Sequence, residues 1–137
     1  MKRAIILYLC AAAVMLPLDL AWLSIVARKF YMEQIGALLL DKPNLPVAAA
    51  FYLLYVVGIV IFAMMPAVRS GEWTDAALYG ALFGFFAYAT YDLTNWATLR
   101  GYTPAMAMVD IAWGTAVTAV SATLAYLMAR RFADLSG

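Results

Sequence analysis

Four long apolar runs, at residues 4–27, 46–68, 76–99 and 104–128, are separated by three polar connections. Each run is near the ~20 residues that an α-helix needs to cross the ~30 Å hydrocarbon layer. Strands of a membrane barrel would instead alternate polar and apolar positions over ~10 residues, and these runs do not. The pattern predicts an all-α integral membrane protein, a single domain over 1–137 folded as an up-down-up-down four-helix bundle. The first run begins like a secretory signal, with Lys2 and Arg3 before an apolar stretch. It continues well past the ~7–15-residue core of such a signal, which favours a retained span.

The connections are informative in different ways. The longest, RKFYMEQIGALLLDKPNL, repeats apolar residues Phe30, Tyr31, Ile35, Leu38 and Leu39 at helical spacing. That predicts a short helix lying in the membrane interface, with an ordered loop closed by Pro43 and Pro46 as the alternative. In RSGEWTDA, Gly71 suits a turn, Trp73 an interface, and Thr74 or Asp75 a helix N-cap. The last connection, RGYT, is so short that the third and fourth runs must be adjacent and antiparallel, with Pro104 opening the fourth.

Composition agrees: 67% of the 137 residues are hydrophobic and 12% charged, against about 25% charged in soluble domains. Lys2, Arg3, Arg69, Arg130 and Arg131 fall on one side of the runs and Arg28, Lys29, Lys42 and Arg100 on the other. The paired clusters at the two ends favour cytoplasmic termini, although the near balance also suits insertion in both orientations. A net charge of +1 offers no field for nucleic acid. Without histidine the chain has no His-ligated haem or metal and no histidine-assisted nucleophile, so no cofactor is expected. The single cysteine, Cys10, reads as a packing residue.

Against this background three aspartates stand out inside the runs: Asp19, Asp92 and Asp110. Counted from the run ends that share one side of the bundle, each lies ~9–12 Å deep at ~1.5 Å per residue. They are predicted to form one layer. Trp22, Trp96 and Trp113 each follow an aspartate by about one helical turn, as do Asn95 after Asp92 and Gly114 after Asp110. Tyr52 and Tyr55 fall at a similar depth. Gly80 and Gly84 form the small-xxx-small pattern of close helix packing, and the same face continues through Tyr88 to Asp92.

An aspartate at the centre of a membrane helix costs about 2.5–3.5 kcal/mol on insertion scales, so the three are expected to face one another or a cavity. No lysine or arginine is embedded beside them. Carboxylates gathered in low dielectric cannot all stay ionised, so the layer either keeps a proton or binds a cation. Asp19, Asp92, Asn95 and Asp110 are the candidate ligands, and Trp22, Tyr52, Tyr55, Tyr88, Trp96 and Trp113 the candidate wall. A metal, if one binds, would take Asp19, Asp92 and Asp110, and an all-oxygen set suits Na⁺, Ca²⁺ or Mg²⁺. An organic cation against the indoles is a further option.

The segments PLDLAWL, FYLLYVVGIVIFAMMPA, YATYDLTNWATL and VDIAWG together resemble a family of small bacterial membrane proteins catalogued as a domain of unknown function. The resemblance implies four transmembrane helices in a bacterial inner membrane and no reaction. Three functional readings follow. The first is binding or movement of a proton, a cation or a small cationic solute, with a homodimer as the transporting unit. The second is a structural or assembly subunit of a larger membrane complex, its aspartates serving as interhelical acceptors. The third is an enzyme acting on a lipid or isoprenoid, which the missing histidine, embedded lysine and cofactor motif disfavour, so the chain leans away from an enzyme.

Overall fold

The computed structural model describes residues 1–133, and helices dominate them. Helix α1, Lys2–Ala21, runs on through a π-helical turn, Trp22–Val26. Helix α2, Arg28–Ile35, follows and ends in a 3-10 turn, Gly36–Leu38. Helices α3, Leu45–Ile59, and α4, Met65–Ser70, are joined by a second π-helical turn, Val60–Met64, into one rod. Helix α5 is Trp73–Thr98 and α6 is Pro104–Phe132.

Local chemistry explains these limits. The Asn44 carboxamide accepts a hydrogen bond from the Val47 amide at 3.3 Å and Pro46 sits in the first turn, where its missing N–H is not needed. Thr103 and Pro104 repeat the device on α6, with the Met106 amide donating to the Thr103 hydroxyl at 3.1 Å. Gly71 stops α4 at φ 76°, a left-handed conformation that glycine adopts without strain. Pro66 interrupts the hydrogen-bond ladder directly after the second π-helical turn.

Among the described residues three helical segments are long and apolar enough to cross a membrane: Lys2–Val26, Leu45–Ser70 and Pro104–Phe132. The region predicted as the third of four spans is also a helix, α5, of 26 residues. It is less apolar because Asp75, Thr90, Asp92, Thr94, Asn95 and Thr98 interrupt it. Its threonines are largely self-satisfied: Thr90 donates to the Phe86 carbonyl at 2.6 Å, Thr98 to the Thr94 carbonyl at 2.7 Å, and Thr94 to Thr90 and Tyr91. Hydroxyls folded back onto their own helix cost little when the face they occupy is exposed. The expected N-cap at Thr74 or Asp75 is displaced: the helix begins at Trp73, and Asp75 lies in the first turn, where its charge favours the N-terminal dipole.

The main core joins α1, α3, α4 and α6 through Leu7, Met15, Ile59, Met64, Ala67 and Tyr126, with Cys10 buried among them. The α5–α6 pair forms the most extensive helix contact. Glycine makes it possible. A Cβ on Gly84 would lie 2.3 Å from the Gly114 carbonyl oxygen, and one on Gly114 would lie 2.0 Å from the Tyr88 ring. On Gly80 it would come to 3.0 Å from the Ala119 backbone. A smaller core of Ala27, Tyr31, Ile35, Tyr102, Met106 and Ala107 holds α2 and the α5–α6 turn against the start of α6. The outer surface is apolar, including exposed Leu9, Leu54, Phe62 and Phe86.

Candidate functional site

The connection that carries α2 between a π-helical and a 3-10 turn, and the short α5–α6 turn, fold Tyr31 and Tyr102 back over the helix ends, where they meet the embedded acids. Asp19 lies in the last turn of α1, Asp92 near the end of α5 and Asp110 in the second turn of α6; all three are buried. They occupy one neighbourhood but not one cluster. Among the described residues, no three His, Cys, Asp or Glu side chains gather closely enough to hold a metal ion. The conditional metal site of Asp19, Asp92 and Asp110 is therefore not gathered as a three-ligand set: Asp92 neighbours Asp110, while Asp19 is held by Trp113 and Tyr52.

Asp19 is bonded at both oxygens. Its Oδ1 accepts from the Trp113 indole N–H at 2.8 Å and its Oδ2 from the Tyr52 hydroxyl. Asp110 accepts at Oδ1 from the Tyr31 hydroxyl at 2.7 Å, and the Tyr31 oxygen in turn accepts from the Trp22 indole N–H at 2.8 Å. The Trp22 and Trp113 rings stack with centroids 4.3 Å apart and planes within 5°. That stack places the two hydrogen-bond chains side by side. It also leaves no slot between the indoles, so an organic cation has no cage there.

Asp92 is different. It is fully buried, its Oδ1 accepts from the Tyr102 hydroxyl, and its Oδ2 is buried without a hydrogen-bond partner among the described residues. Its interacting carboxyl neighbour is Asp110. A buried acceptor without a donor is costly.

Tyr31 and Tyr102 lie outside the long helices, in α2 and the α5–α6 turn. Burial pushes both phenols well above the usual tyrosine range. For Tyr31 the Trp22 bond works the other way, while the Asp110 charge and bond and the Asp19 charge add to the rise. For Tyr102 the bond and charge of Asp92 add to it. Both therefore remain O–H donors at neutral pH. The Tyr31 position is fixed further by the Thr103 hydroxyl, which donates to the Gln34 side-chain oxygen at 2.5 Å and ties α2 to the start of α6.

The remaining candidates divide. Tyr55 is buried and pairs with the Thr118 hydroxyl at 2.8 Å. Tyr88 is half-buried over Gly114 and within electrostatic reach of Asp19, Tyr55, Asp110 and Tyr52. Asn95 is half-buried beside the exposed Tyr91, a side chain that lies within electrostatic reach of Asp110 and Asp92. Trp96 is 42% exposed and does not line the site. Its expected place in the wall is corrected; successive i+4 steps advance about 40° around a helix, and by Trp96 the face has rotated out of the α6 contact. The sequence reading did not single out Tyr31 or Tyr102 as donors. The signal for Tyr102 was the brevity of RGYT, which forces that residue back beside the helix end that carries Asp92.

The family model described as a predicted membrane protein (DUF2177) matches residues 4–127, nearly the whole chain. No curated protein and no solved structure matches it.

Proposed function

The chain belongs to the DUF2177 family of membrane proteins, and from that premise we propose that it holds an exchangeable proton inside the bilayer on the Asp92–Asp110 carboxyl pair. In this reading α5 is the third of four spans, and the chain is a single four-helix domain with both termini on the cytoplasmic side of a bacterial inner membrane. The observation that carries the proposal is the Asp92 Oδ2 atom, buried without a partner beside a second carboxyl. A proton on one member of such a pair turns an orphan acceptor into a donor and removes the repulsion of two charges in low dielectric. Asp19 is bonded at both oxygens beside the pair, and Tyr31 and Tyr102 hold the pair in place.

A proton is preferred to a larger cation on two grounds. Three carboxylates are not assembled as a metal site, and the Trp22–Trp113 stack is closed. The test is tryptophan fluorescence of the purified protein across pH, since Trp22 and Trp113 border the acids. A saturable change that disappears in Asp92→Asn supports the proposal; an identical profile in both proteins overturns it.

One observation favours a second reading, a structural subunit of a larger membrane complex. Each aspartate receives a donor from another element, Tyr52 or Trp113 for Asp19, Tyr31 for Asp110 and Tyr102 for Asp92, as an interhelical clamp would require. Under that reading Asp92→Asn preserves an acceptor and leaves the pH response untouched.

A further inference from the structure

The buried face of α6 does not become wholly apolar beyond Asp110. It carries Thr118 and Ser121, both fully buried, and then Tyr126, which is 2% exposed. Other hydroxyls of this helix are neutralised locally: Thr115 donates to the Ile111 carbonyl at 2.8 Å and Thr123 to the Ala119 carbonyl at 2.7 Å. Thr118 and Ser121 are not used this way. Thr118 pairs with Tyr55 at 2.8 Å, a contact in which either oxygen can donate. The Ser121 oxygen is buried without a partner among the described residues. Among the described residues two buried side-chain polar atoms thus lack partners, Asp92 Oδ2 in the acid layer and Ser121 Oγ about one helical turn past Thr118.

Tyrosines stand between the two levels. Tyr88 lies over Gly114, between Asp110 and Thr118 along α6, and is within reach of Asp19, Asp110 and Tyr55. Its ring meets that of Tyr55 edge-on with centroids 6.1 Å apart. At the far end the Arg130 guanidinium sits 5.6 Å from the centre of the Tyr126 ring. Over the 20 residues from Asp110 to Arg130, α6 rises about 30 Å, the thickness of the hydrocarbon layer.

We propose that this line of hydroxyls, Tyr88, Tyr55, Thr118, Ser121 and Tyr126, is a proton path from the acid layer to the membrane face where Arg130 lies. The inference rests on the proton-holding reading of Asp92 and Asp110 and adds a direction to it. A proton leaving the carboxyl pair adds to a lone pair of one hydroxyl, and that group releases its own proton to the next acceptor. Each hydroxyl ends with one hydrogen, and one H⁺ has moved from water on one side to water on the other. Ser121, whose oxygen has no partner among the described residues, can both donate and accept at its place in the line. Rotation of the hydroxyls resets the line, and Tyr55–Thr118 is suited to this because its donor and acceptor can exchange.

The experiment is proton flux into liposomes containing the full chain and an internal pH dye, driven by a potassium diffusion potential. Wild type is expected to acidify the lumen faster than protein-free liposomes. Thr118→Val and Ser121→Ala are expected to slow it by about tenfold, the rate equivalent of one lost hydrogen bond. Thr118→Ser, which keeps the hydroxyl, is expected to retain the flux and so separates chemistry from misfolding. Flux equal to that of protein-free liposomes, or equal in wild type and Thr118→Val, overturns the path. The pH-dependent fluorescence of Asp92 and its Asn variant is read on the same preparations. A titrating Asp92 with no flux removes the path alone; a silent Asp92 removes the reading beneath it.

Discussion

Trp22 and Trp113 stack face to face with ring centroids 4.3 Å apart, and each uses its indole N–H for a different chain of bonds. Trp113 donates to Asp19, whereas Trp22 donates to Tyr31, which donates to Asp110. The stack is apolar packing and the N–H groups are polar ties, so one pair of residues couples α1, α2 and α6. Replacing Trp113 by Phe keeps a ring but leaves Asp19 Oδ1 without a donor, and about 1–3 kcal/mol of stability should be lost. Thermal unfolding in detergent measures this. Trp22→Phe should cost less, because the Tyr31 oxygen keeps its role as donor to Asp110.

Alkaline pH provides a second check. Tyr31 and Tyr102 both have folded-state values raised above the ordinary tyrosine value by burial and by their aspartate partners. A raised folded value means that the native state holds its proton more tightly than the unfolded chain does. Their contribution is fully present below the unfolded value of about 10 and declines as pH rises beyond it. Unfolding temperature should therefore fall above about pH 10. Tyr102→Phe should be less stable at neutral pH, since both Asp92 oxygens then lack donors, and should lose stability less steeply above that pH.

The α5–α6 contact predicts a sharp positional difference between glycines. Gly84→Ala would bring a methyl group within 2.3 Å of the Gly114 carbonyl oxygen, a backbone atom that cannot swing aside. It should destabilise by about 1–3 kcal/mol. Gly36 has nothing within 4 Å of an added Cβ and ordinary helical φ of −54°. Gly36→Ala should be neutral or stabilise by about 0.4–1 kcal/mol. Equal effects at the two sites, in the same thermal assay, would contradict the close helix approach.

Much of the fold was legible because runs of ~20 apolar residues have few alternatives in a membrane chain. Pro104 then marked the start of the last helix. The third run was the hard case. Its length read as a span, yet Asp92, Asn95 and the threonines leave it less apolar than the other three. The shared neighbourhood of Asp19, Asp92 and Asp110 followed from counting depth along antiparallel helices. What periodicity could not fix was azimuth. Trp22 and Trp113 turn toward the acids while Trp96, at the same nominal spacing, is exposed. Nor could it find Tyr31 and Tyr102, whose positions depend on how two connections fold back over the helix ends.

The central claim is a proton on the Asp92–Asp110 pair, and infrared difference spectroscopy of the carboxyl carbonyl stretch tests it most directly. The account predicts a protonated-carboxyl band at neutral pH that shifts on exchange into D₂O and is lost in Asp92→Asn. A spectrum without that band, or a band indifferent to Asp92→Asn, would contradict it.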